Sequence, residues 1–173
     1  MTSIFARAAI ALAATLIATA AQAEVKTYSR AGAWEAFGGT SNSGQKLCGV
    51  STSGDGKYIG IKYYKGDSSL TIQLSNTKWK VTDGTKVGVT MKFDDESPWR
   101  ARATSYHMSD GDAALQFEID EDQLARWMAE FRRSYNLIIG FPNDKVDDWR
   151  ASLRGTSSIA DSMAECLRWM KTS

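Results

Sequence analysis

The sequence predicts a mainly β protein, an antiparallel β-sandwich or partly closed barrel of about eight strands with two helices, on three observations. Apolar residues alternate with polar ones in short runs, turn residues separate those runs, and helical spacing takes over in only two late stretches, at about 120–135 and 157–170.

Residues 1–23 stand outside that fold. Arg7 gives a positive start, 8–20 is an apolar run, and Ala21-Gln22-Ala23 is a small-x-small cleavage site, which together read as a secretory signal peptide with Glu24 as the first mature residue. The run is shorter than the roughly 20 residues that span a bilayer, and no cysteine follows the cleavage site to carry a lipid. The expected product is periplasmic or secreted, with no membrane span after cleavage. Residues 24–173 are enough for one domain with a substantial core.

The mature chain opens with little pattern over 25–37, and 38–44 reads as a flexible glycine-rich loop. Segments 47–53 and 58–64 form a hairpin about the Ser53-Gly54-Asp55-Gly56 turn. Leu70, Ile72 and Leu74 then alternate with polar neighbours. Val87, Val89, Met91 and Phe93 repeat the pattern, as do Trp99, Ala101 and Ala103, and finally Leu115, Phe117 and Ile119. Asp83-Gly84, 94–98 and 109–112 are the turns between them. At Asp120 the period changes. Asp120 and Gln123 have the spacing of a capping box, Ile119 and Leu124 that of a hydrophobic staple, and Leu124, Trp127, Met128, Phe131 and Tyr135 fall on one helical face. Residues 136–141 read as a buried strand, Pro142-Asn143-Asp144 as a turn, and Trp149, Ala151 and Leu153 as the inner face of the last strand. Gly155 turns the chain into a second helix from Ser157 or Ser158, with Asp161 available to cap it and Ile159, Met163, Cys166, Leu167 and Met170 on one face.

Charge and cysteine content narrow the function. Lys and Arg number 21 against 20 Asp and Glu, and loss of Arg7 with the signal peptide leaves an even balance, which argues against a nucleic-acid partner. The two cysteines, Cys48 and Cys166, should pair in an oxidising compartment. Closing a loop of roughly 120 residues stabilises a fold by about 4 to 5 kcal/mol in the chain-entropy picture. Two distant thiols and a single histidine do not make a zinc site, and no metal or other cofactor is implied.

Chemistry-bearing residues are sparse. His107 is the sole histidine, and no serine stands in a Gly-x-Ser-x-Gly elbow, so His107 reads as a solvent-facing loop residue without a catalytic task. The carboxylates at 94–96, 110 and 112, 120–122, and 144 with 147–148 sit at turns or a helix N-terminus, where acids are favoured locally. A calcium loop from Asp110 would place Ala114 and Leu115 where an oxygen ligand and a glycine are needed. Tyr58, Lys62 and Tyr64 share one face of their strand, and Trp79 lies between Lys78 and Lys80. These four residues form a candidate sugar-binding platform, against the plainer reading that aromatics are good strand and core residues.

The order of elements resembles that of the invasion-associated locus B family of exported bacterial β-sandwich proteins and, more loosely, the VasI-like accessory proteins of type VI secretion. The likeness rests on Trp34 ahead of Cys48, the Asp120-Glu121-Asp122 step into a helix followed by the 136–141 strand, and the ending Ser152-Leu153-Arg154-Gly155 followed by 157–166. Thr156 stands where those families carry an aromatic residue, and the additional cysteines common in the locus B proteins are missing. The resemblance implies an exported, disulfide-bonded, non-enzymatic protein linked to envelope or host interaction, with no family active site. The expectation is therefore a periplasmic binding protein whose partner is a protein or envelope component. The alternative is an inhibitor or immunity protein against a cell-wall hydrolase or secreted toxin.

Overall fold

The computed structural model describes residues 24–142 and 146–172. The expected signal peptide, and Asn143 and Asp144 of the expected turn, lie outside the described residues.

Ten strands form one antiparallel sheet in the order β1-β2-β3-β4-β5-β8-β7-β6-β9-β10. They are β1 (Glu24–Ala31), β2 (Trp34–Thr40), β3 (Lys46–Gly54), β4 (Lys57–Tyr64), β5 (Ser69–Asn76), β6 (Lys86–Phe93), β7 (Trp99–His107), β8 (Ala113–Asp120), β9 (Asn136–Gly140) and β10 (Trp149–Ser152). Helix α1 (Glu121–Arg133) follows β8, and α2 (Thr156–Thr172) closes the chain.

The mainly antiparallel β architecture with two helices is as the sequence predicts, but β1 and β2 exceed the expected eight strands. Strand β1 shows no period because it is an edge strand exposed along most of its length, with a bulge between Thr27 and Ser29. Strand β2 runs through Gly38 and Gly39 to Thr40, so the expected 38–44 loop shrinks to its second half. Gly39 has φ 148, and a side chain there would run into the Glu24 backbone, so close β1–β2 pairing requires glycine. The β3–β4 hairpin turns on Asp55 and Gly56 with φ 52 and 71, the positive pair that a two-residue hairpin loop needs.

The sheet curls round one core without closing. The β7–β8 ladder covers only Thr104–His107 against Ala113–Gln116. Past Thr104 the strands part around a cavity of about 250 Å³, and the ladder folds into two facing layers. Ile61, Ile72, Leu74, Met91, Phe93 and Ile139 meet between them. Phe131 stacks on Trp127 and takes the edge of Trp34, with ring centroids 5.5 and 5.1 Å apart.

Helix α1 docks through Glu130, which is 3% exposed, accepts from Trp99 Nε1 at 2.6 Å and pairs with Arg126 at 3.0 Å. Asp120 is its N-cap residue, but its side chain makes no cap bond, so the expected capping box is not formed. Helix α2 starts at Thr156, ahead of the expected Ser157 or Ser158. Asp161 does not cap it and instead takes Arg132 at 2.6 Å, joining the two helices. The Thr156 hydroxyl is buried and donates toward the carbonyl oxygens of Phe131 and Leu153. From α2, Cys166 reaches Cys48 on β3 to form the expected disulfide, with Cα atoms 5.9 Å apart.

Candidate functional site

Strand β4 turns Ile59 and Ile61 into the core, so the alternating Tyr58, Lys62 and Tyr64 share the opposite, outer face. Register extends that face across four strands. Tyr58 stands opposite Ser75, Ser75 opposite Ala114, and Ala114 opposite Tyr106, so two small residues separate two tyrosines. The neighbouring row carries Ser51, Gly60, Gln73, Gln116 and Thr104.

Glycine shapes the surface here. A Cβ on Gly60 would lie 2.5 Å from the Tyr58 hydroxyl and 2.7 and 2.9 Å from two of its ring carbons, so the ring lies across this bare stretch of strand. On the neighbouring strand the Ser51 hydroxyl donates to Glu35 Oε1 at 3.3 Å.

Lys62 is half-buried within this group. Its ammonium donates to Gln73 Oε1 and lies 5.9 Å from the Tyr58 ring centroid. Among the described residues no carboxylate pairs with it, and burial holds its pKa below the usual lysine value. Gln73 is 5% exposed, and its Nε2 donates to the thioether of Met108 at 2.7 Å, a weak acceptor. Burial pushes the phenols of Tyr58 and Tyr106 up to about 12. Tyr64 and Tyr58 raise Tyr106 further, which places the three phenols within electrostatic reach of one another. Tyr64 is itself raised, by burial and then by Asp67.

Beyond Tyr106 the same face sinks into a depression of about 440 Å³, lined by Arg102, Thr104, Gln116 and Glu118 among others. Glu118 accepts from the Ser69 hydroxyl at 3.0 Å. Arg102 is exposed and has no ion-pair partner among the described residues.

Trp79 is elsewhere. It stacks on Trp149 at 5.0 Å and meets the edge of Phe141 at 5.6 Å, lining an apolar cavity of about 260 Å³ with Val87 and Leu115, and with Lys78 and Lys80 beside it. The expected four-residue platform therefore separates. Tyr58, Lys62 and Tyr64 come together, while Trp79 belongs to the packing between the β5–β6 and β9–β10 connections.

No family model matches the chain, and no curated protein matches it. Among solved structures it is similar to the crystal structure of invasion associated protein B from Bartonella henselae, with 12% identity, a TM-score of 0.57, and coverage of 86% of this chain and 99% of that one. The two share a fold. At that identity the likeness carries architecture and no residue roles.

His107 is the last residue of β7 rather than a loop residue, and its exposed ring reaches Asp83 Oδ1 at 2.5 Å. Asp94 accepts the backbone N–H groups of Tyr135 and Asn136 at 2.8 and 2.9 Å, bonds that hold its pKa low and fix the start of β9. Tyr106 and Gln73 were not expected at the site. Each lies on the polar phase of its strand, the one signal the sequence offers for them.

Proposed function

We propose that this protein is an exported, non-enzymatic binding protein of the bacterial envelope and that it meets its partner through the outer face carrying Tyr58, Lys62, Tyr64 and Tyr106. The observation that carries this reading is Lys62, a half-buried cation beside the Tyr58 ring with a neutral amide as its hydrogen-bond acceptor. Buried charges are ordinarily paired, so this one is poised for a counter-charge from outside the chain. Export is supported by the signal-peptide pattern of residues 1–23, by the Cys48–Cys166 disulfide, and by the fold shared with a protein described as invasion-associated. No helix among the described residues is long and apolar enough to cross a membrane.

The test is comparative retention. Immobilised oxidised protein and its Lys62→Met counterpart are exposed to the same solubilised envelope fraction. The reading expects a component held by the first and released by the second. Equal retention by both, or none by either, overturns it.

A further inference from the structure

Resting on that reading of the outer face, we infer the chemistry of its ligand: a carboxylate-bearing saccharide, with a sugar ring against the tyrosines and its carboxylate on Lys62.

Three features point the same way. First, the ring of Tyr58 lies across Gly60, and an aromatic face set along a sheet can receive the C–H face of a sugar. Second, hydrogen-bonding groups stand on the same face: the half-buried phenols of Tyr64 and Tyr106, with the buried Gln73 amide in the row between them. Among the described residues the Gln73 N–H groups have only the Met108 thioether, a weak acceptor. Third, the only cation in the group is a single half-buried lysine. One ammonium matches one carboxylate. A phosphate, with its higher charge, is held where several arginines or a fan of free backbone N–H groups converge, and the N–H groups of a sheet run along its plane rather than out of its face.

The length of the ligand can also be read. Tyr58 and Tyr106 are separated by three strand spacings, about 14 Å, and the depression past Tyr106 ends at Arg102, a second cation with no ion-pair partner among the described residues. Lys62 at one end and Arg102 at the other suit an oligosaccharide with acidic sugars at both ends. Glu118 lies in the same cross-strand row as Lys62, two strands away beyond Thr71, and is held by Ser69, so a ligand that reaches Arg102 must present a hydroxyl to it and not a carboxylate.

The probe is a short oligogalacturonate, titrated calorimetrically into the oxidised protein beside a neutral gluco-oligosaccharide of equal length and inorganic phosphate. The expected result is saturable binding of the uronate alone, weakened by added salt, at least tenfold weaker for Lys62→Met, and weakened by a smaller factor for Arg102→Gln. Tyr64→Ala is the second variant, in case Lys62→Met fails to fold, and each variant is checked for native circular dichroism. No uronate binding, phosphate bound as well as uronate, or undiminished binding by a folded Lys62→Met protein overturns the inference. Failure here is separable from failure of the binding reading: if no uronate binds while an envelope component is still retained by the wild type and lost from Lys62→Met, the saccharide is refuted and the face stands as an interaction site.

Discussion

The indole N–H of Trp34 donates to the carbonyl oxygen of Ser152 at 2.8 Å, joining the second strand of the sheet to the tenth. Among the described residues no ladder bridges the two ends of the sheet, so this bond and the packing of the same ring against Phe131 help to hold the curl together. Trp34→Phe should cost about 2 kcal/mol, from the lost bond and the smaller ring. A urea titration checks it, and an unshifted midpoint would show that the sheet ends do not depend on this contact.

The disulfide makes a second tie, from α2 to β3, across a sequence separation of 118. Mass analysis under non-reducing conditions should find no free thiol. Cys166→Ser should lower stability by about 4 kcal/mol, less whatever strain the bond carries. Two alkylatable thiols in the native protein would contradict the pairing.

Gly60 tests the outer face without touching a functional group. In Gly60→Val the new side chain occupies the space now filled by the Tyr58 ring, so the ring must lift from the sheet. A loss of about 1 to 3 kcal/mol is expected. The same variant should lose one late-titrating phenol in an absorbance titration of tyrosinate, because a lifted ring is no longer buried.

Alkaline stability follows from the same tyrosines. Burial first, and neighbouring phenols or acids second, raise Tyr58 and Tyr106 from 10 in the unfolded chain to about 12 in the fold, and Tyr28 rises similarly through burial and Glu165. Because the folded values exceed the unfolded ones, this stabilisation is complete below pH 10 and is lost as pH climbs toward about 12. Lys62 acts in the opposite sense: burial lowers it, so the fold gains as pH rises through its folded value toward 10.5. Denaturation midpoints measured across alkaline pH should therefore fall only above pH 10. Tyrosines that all titrate together near 10 in the native protein would contradict the burial.

Much of this was legible in the sequence because the code of a strand is local. Leu70, Ile72 and Leu74, or Val87 through Phe93, declare their inner face by alternation alone, and Trp127 and Phe131 declare theirs by helical spacing. Strand β1 was not legible, since an edge strand exposed along most of its length carries no period. The candidate site was half legible. Tyr58, Lys62 and Tyr64 share a strand and hence a face. Tyr106 joins them only because β8 and β7 follow β5 in the sheet, an order that depends on distant packing. Trp79 was misplaced for the same reason: its partners Phe141 and Trp149 are more than sixty residues away, and nothing around positions 78–80 announces them.

The most direct test of the central claim, that the outer face receives an acidic saccharide, is an amide chemical-shift map of the oxidised protein titrated with oligogalacturonate. The prediction is that shifts cluster on Ser51, Lys62, Gln73 and Tyr106 and fade toward the far layer of the sandwich. Shifts centred on Trp79 and Trp149, or no shifts at any ratio, would contradict it.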